Sequence, residues 1–183
     1  MTHLHVYKNK KGSKSFSKKA LISNLSNYLK VNPDSIDVVK SKNGKPSVDG
    51  INFSISHCKH IVVQVFTHSG HIGVDVEYIN NNRNYLKLAQ RYFHKKESRH
   101  LKKLTDSDSA KLFYNLWTAK EAVCKAEGGR LWYYLADNYL THNDKMKTTI
   151  KGLKLLSFDT VPNYALTVAM PDNSHQMEII NEE

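Results

Sequence analysis

Two carboxylates separated by a single residue stand in the run Gly73-Val74-Asp75-Val76-Glu77. Side chains alternate faces along a strand. A strand here turns Val74 and Val76 toward a core and leaves Asp75 and Glu77 together on the other face. Two carboxylates this close hold their protons more tightly unless a cation lies between them. A hard divalent ion with oxygen ligands meets that need, and a solvated strand face would also account for the pair. A second segment, Trp117-Thr118-Ala119-Lys120-Glu121-Ala122-Val123-Cys124-Lys125-Ala126-Glu127-Gly128, has helical character. Glu121 and Lys125 are four apart and share a helix face. They form either a surface ion pair or, beside the strand acids, a third metal ligand and a cation for a phosphate oxygen. Lys120 adds positive charge there. His57, closing Phe53-Ser54-Ile55-Ser56-His57-Cys58, is placed to donate to a phosphate or to act as a base. Its alternative is a half-buried histidine bonded to backbone. His57, Cys58, His60, His68 and His71 crowd together with zinc-like spacing, but partners three apart on strands face opposite ways.

The elements that must position these groups follow from the apolar pattern. Short strands are expected over 3–7, 36–40, 52–57, 61–67 and 72–77, and again over 147–158 and 164–169. Helices are expected over 17–29, with Ser17 as N-cap, and over 86–93, 95–104 and 109–127. Residues 8–14 form a basic turn, and the polar run Asn80-Asn81-Asn82-Arg83-Asn84 is the expected midpoint. Strand, helix and strands therefore occur once before it and once after, an α+β chain of two halves, residues 1–79 and 80–170. Residues 171–183 are polar and acidic, and are expected to be a flexible tail.

Composition narrows the function classes. The 183 residues are 40% hydrophobic and 24% charged, with 8 Gly and 4 Pro, which excludes disordered and collagen-like chains. Lys and Arg outnumber Asp and Glu 27 to 17, a net charge of +10, which favours polyanionic partners. Two cysteines make no disulfide scaffold and point to a reducing, cytoplasmic compartment. No run approaches the ~20 apolar residues that span a bilayer, and no signal peptide is visible. Walker, dinucleotide, HExxH and GxSxG motifs are all absent.

In order along the chain stand Gly44-Lys45-Pro46, the Phe53–His57 run, Gly73–Glu77, and Trp117-Thr118-Ala119-Lys120-Glu121 with Lys125 and Glu127-Gly128-Gly129. Between them lies Arg91-Tyr92-Phe93-His94-Lys95-Lys96-Glu97. This ordered set resembles the 4′-phosphopantetheinyl transferase superfamily, most closely its larger, monomeric surfactin-synthetase-activating type. The resemblance implies a fold of two similar α/β halves related by a pseudo-twofold, with the active site in the cleft between them. It implies transfer of the phosphopantetheine arm of coenzyme A to a serine of an apo acyl or peptidyl carrier protein, releasing adenosine 3′,5′-bisphosphate.

Position by position, the resemblance implies Mg²⁺ on Asp75, Glu77 and Glu121. It places Lys125 and His57 on phosphate oxygens, and Lys45, Pro46 and Ser56 near the adenosine 3′-phosphate end. Glu97 is the implied base for the serine hydroxyl. Cys58 stands where the family often has serine. Two rival readings share parts of the pattern. A non-catalytic, basic nucleic-acid-binding module would use the lysines and tyrosines but leaves the acids unexplained. A metal-dependent hydrolase would use the acids without binding coenzyme A. The transferase reading needs no nucleic acid and no membrane, and a pseudo-dimeric chain completes its site as a monomer.

Overall fold

The chain lays down the same strand–helix–hairpin order twice. The computed structural model describes residues 1–8, 14–82, 84–172 and 176–182. The first pass runs β1 (Thr2–Lys8), α1 (Lys14–Leu29), the two-residue strands β2 (Val39–Lys40) and β3 (Pro46–Ser47), then the hairpin β4 (Asn52–Cys58) and β5 (Ile61–Thr67). The second runs β6 (Gly73–Tyr78), α2 (Tyr85–Tyr92), α3 (Lys95–Leu101), α4 (Asp106–Glu127) and α5 (Trp132–Leu135). It ends with β7 (Thr149–Ile150), β8 (Leu153–Phe158) and β9 (Tyr164–Pro171), and β10 (Met177–Glu182) closes the chain. The two sheets share one topology: β1-β5-β4 in the first and β6-β9-β8 in the second, every one of these neighbours antiparallel. This is the α+β architecture of two similar halves.

Strand alternation decides the layers. Leu4, Val6, Val63 and Val65 of the first sheet pack on Val74, Val76, Leu166 and Val168 of the second. Each such side chain contributes ~1.5–3 kcal/mol by leaving water. Leu21 and Leu25 of α1 cover the outer face of the first sheet over Phe53 and Phe66. On the second sheet the outer face belongs to α4. That helix starts at Thr105, whose side chain accepts from the Asp108 amide, with Asp106 and Asp108 in its first turn. Both devices satisfy amides at the positive end of the helix. It stops at Gly128, which adopts φ 64°, a left-handed cap. Gly73 lets α4 approach β6 closely, because a Cβ there would collide with the Ala122 carbonyl.

The sequence reading needs four corrections. β6 pairs with β9, so residues 73–78 open the second half instead of ending the first. The hydrogen-bond ladder, not the polar run at 80–84, sets the division. The acidic C-terminus is no tail: β10 runs parallel to β1, from Thr2 opposite Met177 to Tyr7 opposite Glu182. Ser17 lies inside α1, and its carbonyl accepts from Gln64 Nε2, so it is not the N-cap. The strand expected over 36–40 shrinks to β2, after a 3₁₀ turn at Pro33–Ser35. Most of the basic turn expected over 8–14 lies outside the described residues.

Candidate active site

Alternation on two strands and i,i+4 spacing on a helix converge beside α4. β4 directs Ser54, Ser56 and Cys58 at β6. Ser54 Oγ accepts from the Val74 amide at 3.1 Å, and Ser56 Oγ donates to Asp75 Oδ1 at 2.7 Å. Cys58 Sγ donates to Glu77 Oε2 at 3.5 Å and accepts from the Tyr78 amide at 3.3 Å. Burial pushes the Cys58 thiol up, which keeps it a donor. From α4, Lys125 Nζ donates to the same Asp75 Oδ1 at 2.7 Å and to the Val74 carbonyl at 3.1 Å. Lys125 thus pairs with the strand acid across the interface.

Two observations bear on whether a cation fits here. Asp75 is buried, and among the described residues its Oδ2 has no hydrogen-bond partner. A buried carboxylate oxygen left unsatisfied is costly. Glu121 is the second. Burial pushes its carboxyl up to about 7, with the charges of Asp75 and Glu77 adding to the effect and Lys125 opposing it. Carboxylates that raise one another's proton affinity in this way are relieved by a metal ion. Among the described residues, no three His, Cys, Asp or Glu side chains are grouped to hold a metal by themselves. Magnesium does not ask for that, since it keeps several waters and takes one or two carboxylates together with substrate phosphate oxygens. The residues present fit a magnesium ion shared with a phosphate ligand.

The remaining expected residues separate. His57 is exposed on the opposite side of β4, where it lines a cavity of about 610 Å³ between α1 and the β2–β3 hairpin. Pro46, Lys18 and Lys40 line it too. A smaller hollow of about 190 Å³ is lined by Lys45, Ser54 and Lys125, and it shares Gly44, Pro46 and Ile55 with the larger one. Lys45 departs from expectation. Its Nζ donates to the Ala126 carbonyl at 2.7 Å, which caps the negative end of α4. Burial holds its ammonium below the usual lysine range.

Glu97 is also corrected. It is 0% exposed and sits in a capping box at the start of α3 with His94. One oxygen accepts from the Tyr139 amide at 2.7 Å, and the other faces Lys120 Nζ at 3.0 Å. A carboxylate closed in this way has no route to a carrier serine. Lys120, expected to add surface charge, is itself 0% exposed. Its ammonium also donates to the Asp137 carbonyl and lies over the Phe93 and Tyr139 rings. Burial pulls it below the usual lysine range, against the pull of Glu97. The sequence did carry a sign of this pair: Lys120 falls in the apolar stripe of Phe113, Leu116 and Val123. Lys18 and Lys40 were missed, and no spacing marks them.

A family model of the 4′-phosphopantetheinyl transferase superfamily matches residues 71–173. The chain belongs to that superfamily. It is 33% identical over 170 residues to the 4′-phosphopantetheinyl transferase ffp of Bacillus subtilis, covering 87% of this chain and 75% of that one. It is 26% identical over 160 residues to the transferase HetI of a Nostoc species, covering 84% of this chain and 64% of HetI. With the transferase gsp of Aneurinibacillus migulanus it shares 30% identity over 116 residues, covering 63% of this chain and 48% of gsp. It therefore spans under two thirds of the length of HetI and gsp. Among the described residues no helix is long and apolar enough to cross a membrane.

Proposed function

We propose that this chain moves the 4′-phosphopantetheine arm of coenzyme A onto a serine of an apo acyl or peptidyl carrier protein, and that it acts as a monomer of the larger, surfactin-synthetase-activating type. The observation that carries the reading is Asp75. Its buried carboxylate is held by Ser56 and Lys125 through one oxygen and left bare on the other. The named relatives are 4′-phosphopantetheinyl transferases.

Asp75, Glu77 and Glu121 would hold Mg²⁺, which supplies neutralising charge at the pyrophosphate. The chain's own groups do the rest. In the transfer, the serine oxygen bonds to the phosphorus of the pantetheine phosphate. The bond from that phosphorus to the bridging oxygen breaks, and adenosine 3′,5′-bisphosphate departs with that oxygen. Positioning and charge neutralisation dominate such reactions. Lys125, already at the cleft, stabilises charge on the departing phosphate. The serine proton passes to water in the cleft, since Glu97 is closed off and Glu121 would be held at the metal. His57, with Lys18 and Lys40 in the larger cavity, would bind the nucleotide phosphates against Pro46. A nucleic-acid module would leave the Asp75–Lys125 pair without a use.

Intact-protein mass spectrometry of an apo acyl carrier protein with coenzyme A and Mg²⁺ tests the reading. One phosphopantetheine should be gained, and the gain should vanish with EDTA and in Asp75→Ala. No gain on any carrier type, with no coenzyme A binding by calorimetry, would refute it.

A further inference from the structure

β4 and β6 are edge strands of different sheets, and they are joined by side chains instead of a backbone ladder. β4 pairs with β5 and β6 with β9. An edge strand presents amides that no neighbouring strand accepts. Here side chains of β4 accept them: Ser54 Oγ takes the Val74 amide at 3.1 Å, and Cys58 Sγ takes the Tyr78 amide at 3.3 Å. Between these two points the same row reaches the acids. Ser56 donates to Asp75 Oδ1 at 2.7 Å, and Cys58 donates to Glu77 Oε2 at 3.5 Å. Residues two apart share a strand face. Ser54, Ser56 and Cys58 therefore form one row, and that row touches both carboxylates of β6.

The end of this row is held in place. Cys58 is the last residue of β4 and half-buried. Lys59, which follows it, turns the chain with φ 50°, and its ammonium lies over the Tyr78 ring, 3.1 Å from the ring centre. Tyr78 in turn meets the Tyr164 ring edge-on, with 5.3 Å between the ring centres. Lys59 and Tyr78 thus bind the end of β4 to the end of β6, with the thiol and Glu77 between them. A glutamate carries its carboxylate on a long, rotatable stem, and ordering that stem costs entropy whenever a ligand binds. Asp75 is short, buried and fixed by Ser56 and Lys125. Glu77 is longer and less buried, so its carboxylate gains more from an anchor.

We infer that Cys58 is a positioning residue, whose thiol orients the Glu77 carboxylate for the divalent ion that Asp75, Glu77 and Glu121 would share. The inference rests on the metal reading above and adds a residue which that reading does not use. Groups that hold metal ligands in place are worth about 10- to 100-fold in metal affinity. The thiol acts here through its hydrogen bond and not as a ligand: the sulfur accepts from the Tyr78 amide, and its proton is given to Glu77. A serine hydroxyl in its place offers the same donor and acceptor with a shorter reach, so it should restore the bond in part.

The test titrates Mn²⁺, a paramagnetic substitute for Mg²⁺, into protein saturated with coenzyme A, and counts the free ion by electron paramagnetic resonance. Wild type is compared with Cys58→Ala, Cys58→Ser, Glu77→Ala and Cys58→Ala/Glu77→Ala, all below the lowest melting transition. The expected result is a Mn²⁺ Kd raised about 10- to 100-fold in Cys58→Ala and by less in Cys58→Ser, with the calorimetric Kd for coenzyme A in EDTA unchanged. In the Glu77→Ala background, loss of the thiol should change the Mn²⁺ Kd by less than about twofold, because the group it orients is gone. Cys58→Ala also strips the Tyr78 amide of its acceptor, so its melting temperature should fall. A purely structural thiol would show that fall alone. Cys58→Ser keeps an acceptor there and reads the effect in a chain closer to wild type in stability. A wild-type Mn²⁺ Kd in both single Cys58 variants overturns the inference and leaves the metal reading intact. Equal weakening with and without Glu77 overturns it too, since the sulfur would then be acting as a ligand itself. A wild type that binds no Mn²⁺ refutes the metal reading and this inference with it.

Discussion

Glu97→Gln separates a base from a structural ion pair, because the two roles make opposite demands on stability and rate. Glu97 and Lys120 face each other at 3.0 Å with neither exposed to solvent. Glutamine keeps an acceptor for the Tyr139 amide but removes the countercharge. Taking one partner from a buried pair costs about 3–5 kcal/mol. Chains of this size lose about 2–4 °C of Tm per kcal/mol, so the melting temperature should fall by roughly 6–20 °C. Lys120, already depressed by burial, should then shed its proton, which limits the loss. Lys120→Met should destabilise similarly by baring Glu97. The double variant should recover most of the loss, since neutral side chains of similar volume often replace such pairs without penalty. Urea unfolding of the four proteins gives the coupling energy, and single-turnover mass spectrometry below the lowest transition gives the rate. A lost general base lowers the rate by ~10²–10⁴-fold, whereas a structural residue leaves folded protein within about tenfold of wild type. Unchanged stability with a hundredfold slower transfer would refute the argument and return Glu97 to the role of base.

Three further outcomes follow from the same geometry. Without metal, Glu121 titrates near 7 in the folded chain against 4.5 for an unperturbed carboxyl. The folded state thus holds that proton more tightly, so stability should fall as pH rises from about 4.5 to 7, by at most ~3 kcal/mol. Saturating Mg²⁺ or Glu121→Gln should flatten that slope in thermal melts, and a slope unaffected by either would refute the assignment. Gly73→Ala should push α4 off β6, lowering stability by at least ~1–3 kcal/mol, and a wild-type melting temperature would show that the helix has room. Ending the chain at residue 176 should strip β10 from β1 and bare a strand edge. Light scattering should then report aggregation, and an unchanged, monomeric melt would mean the strand is dispensable.

The placement of the candidate site's carboxylates was legible in sequence because each rule involved is local. Period two placed Asp75 and Glu77 on one face of β6, and i,i+4 placed Glu121 with Lys125 on α4. The long α4 and the β4–β5 hairpin were legible for the same reason. What escaped depends on partners distant in the chain. Glu97 resembled a free acid until α4 presented Lys120 to it, and Lys45 resembled a phosphate ligand until the end of α4 arrived at its ammonium. β10 looked like a tail because its own residues are weakly apolar, and only β1, at the other end of the chain, makes it a strand. The place of β6 in the second half is likewise fixed by its pairing with β9, which no local pattern announces.

The twofold repetition of strand, helix and hairpin gives one chain two comparable interfaces, β6 on α4 and β1 on α1, and they have been furnished in opposite ways. Where the second half carries Asp75, Glu77, Glu121 and Lys125, the first carries a hydrogen-bonded network whose acid, Glu182, faces His5 Nδ1 at 3.1 Å. His5 Nε2 and the Tyr28 hydroxyl share a hydrogen bond of 2.7 Å, and Asn24 donates to both the Tyr7 hydroxyl and Gln64 Oε1. In a symmetric pair of identical chains every substitution falls on both copies, so reactive and inert versions of one interface could not coexist. A single covalent chain lifts that constraint. One interface can be tuned for rigidity while the other keeps a bare carboxylate oxygen and crowded charges.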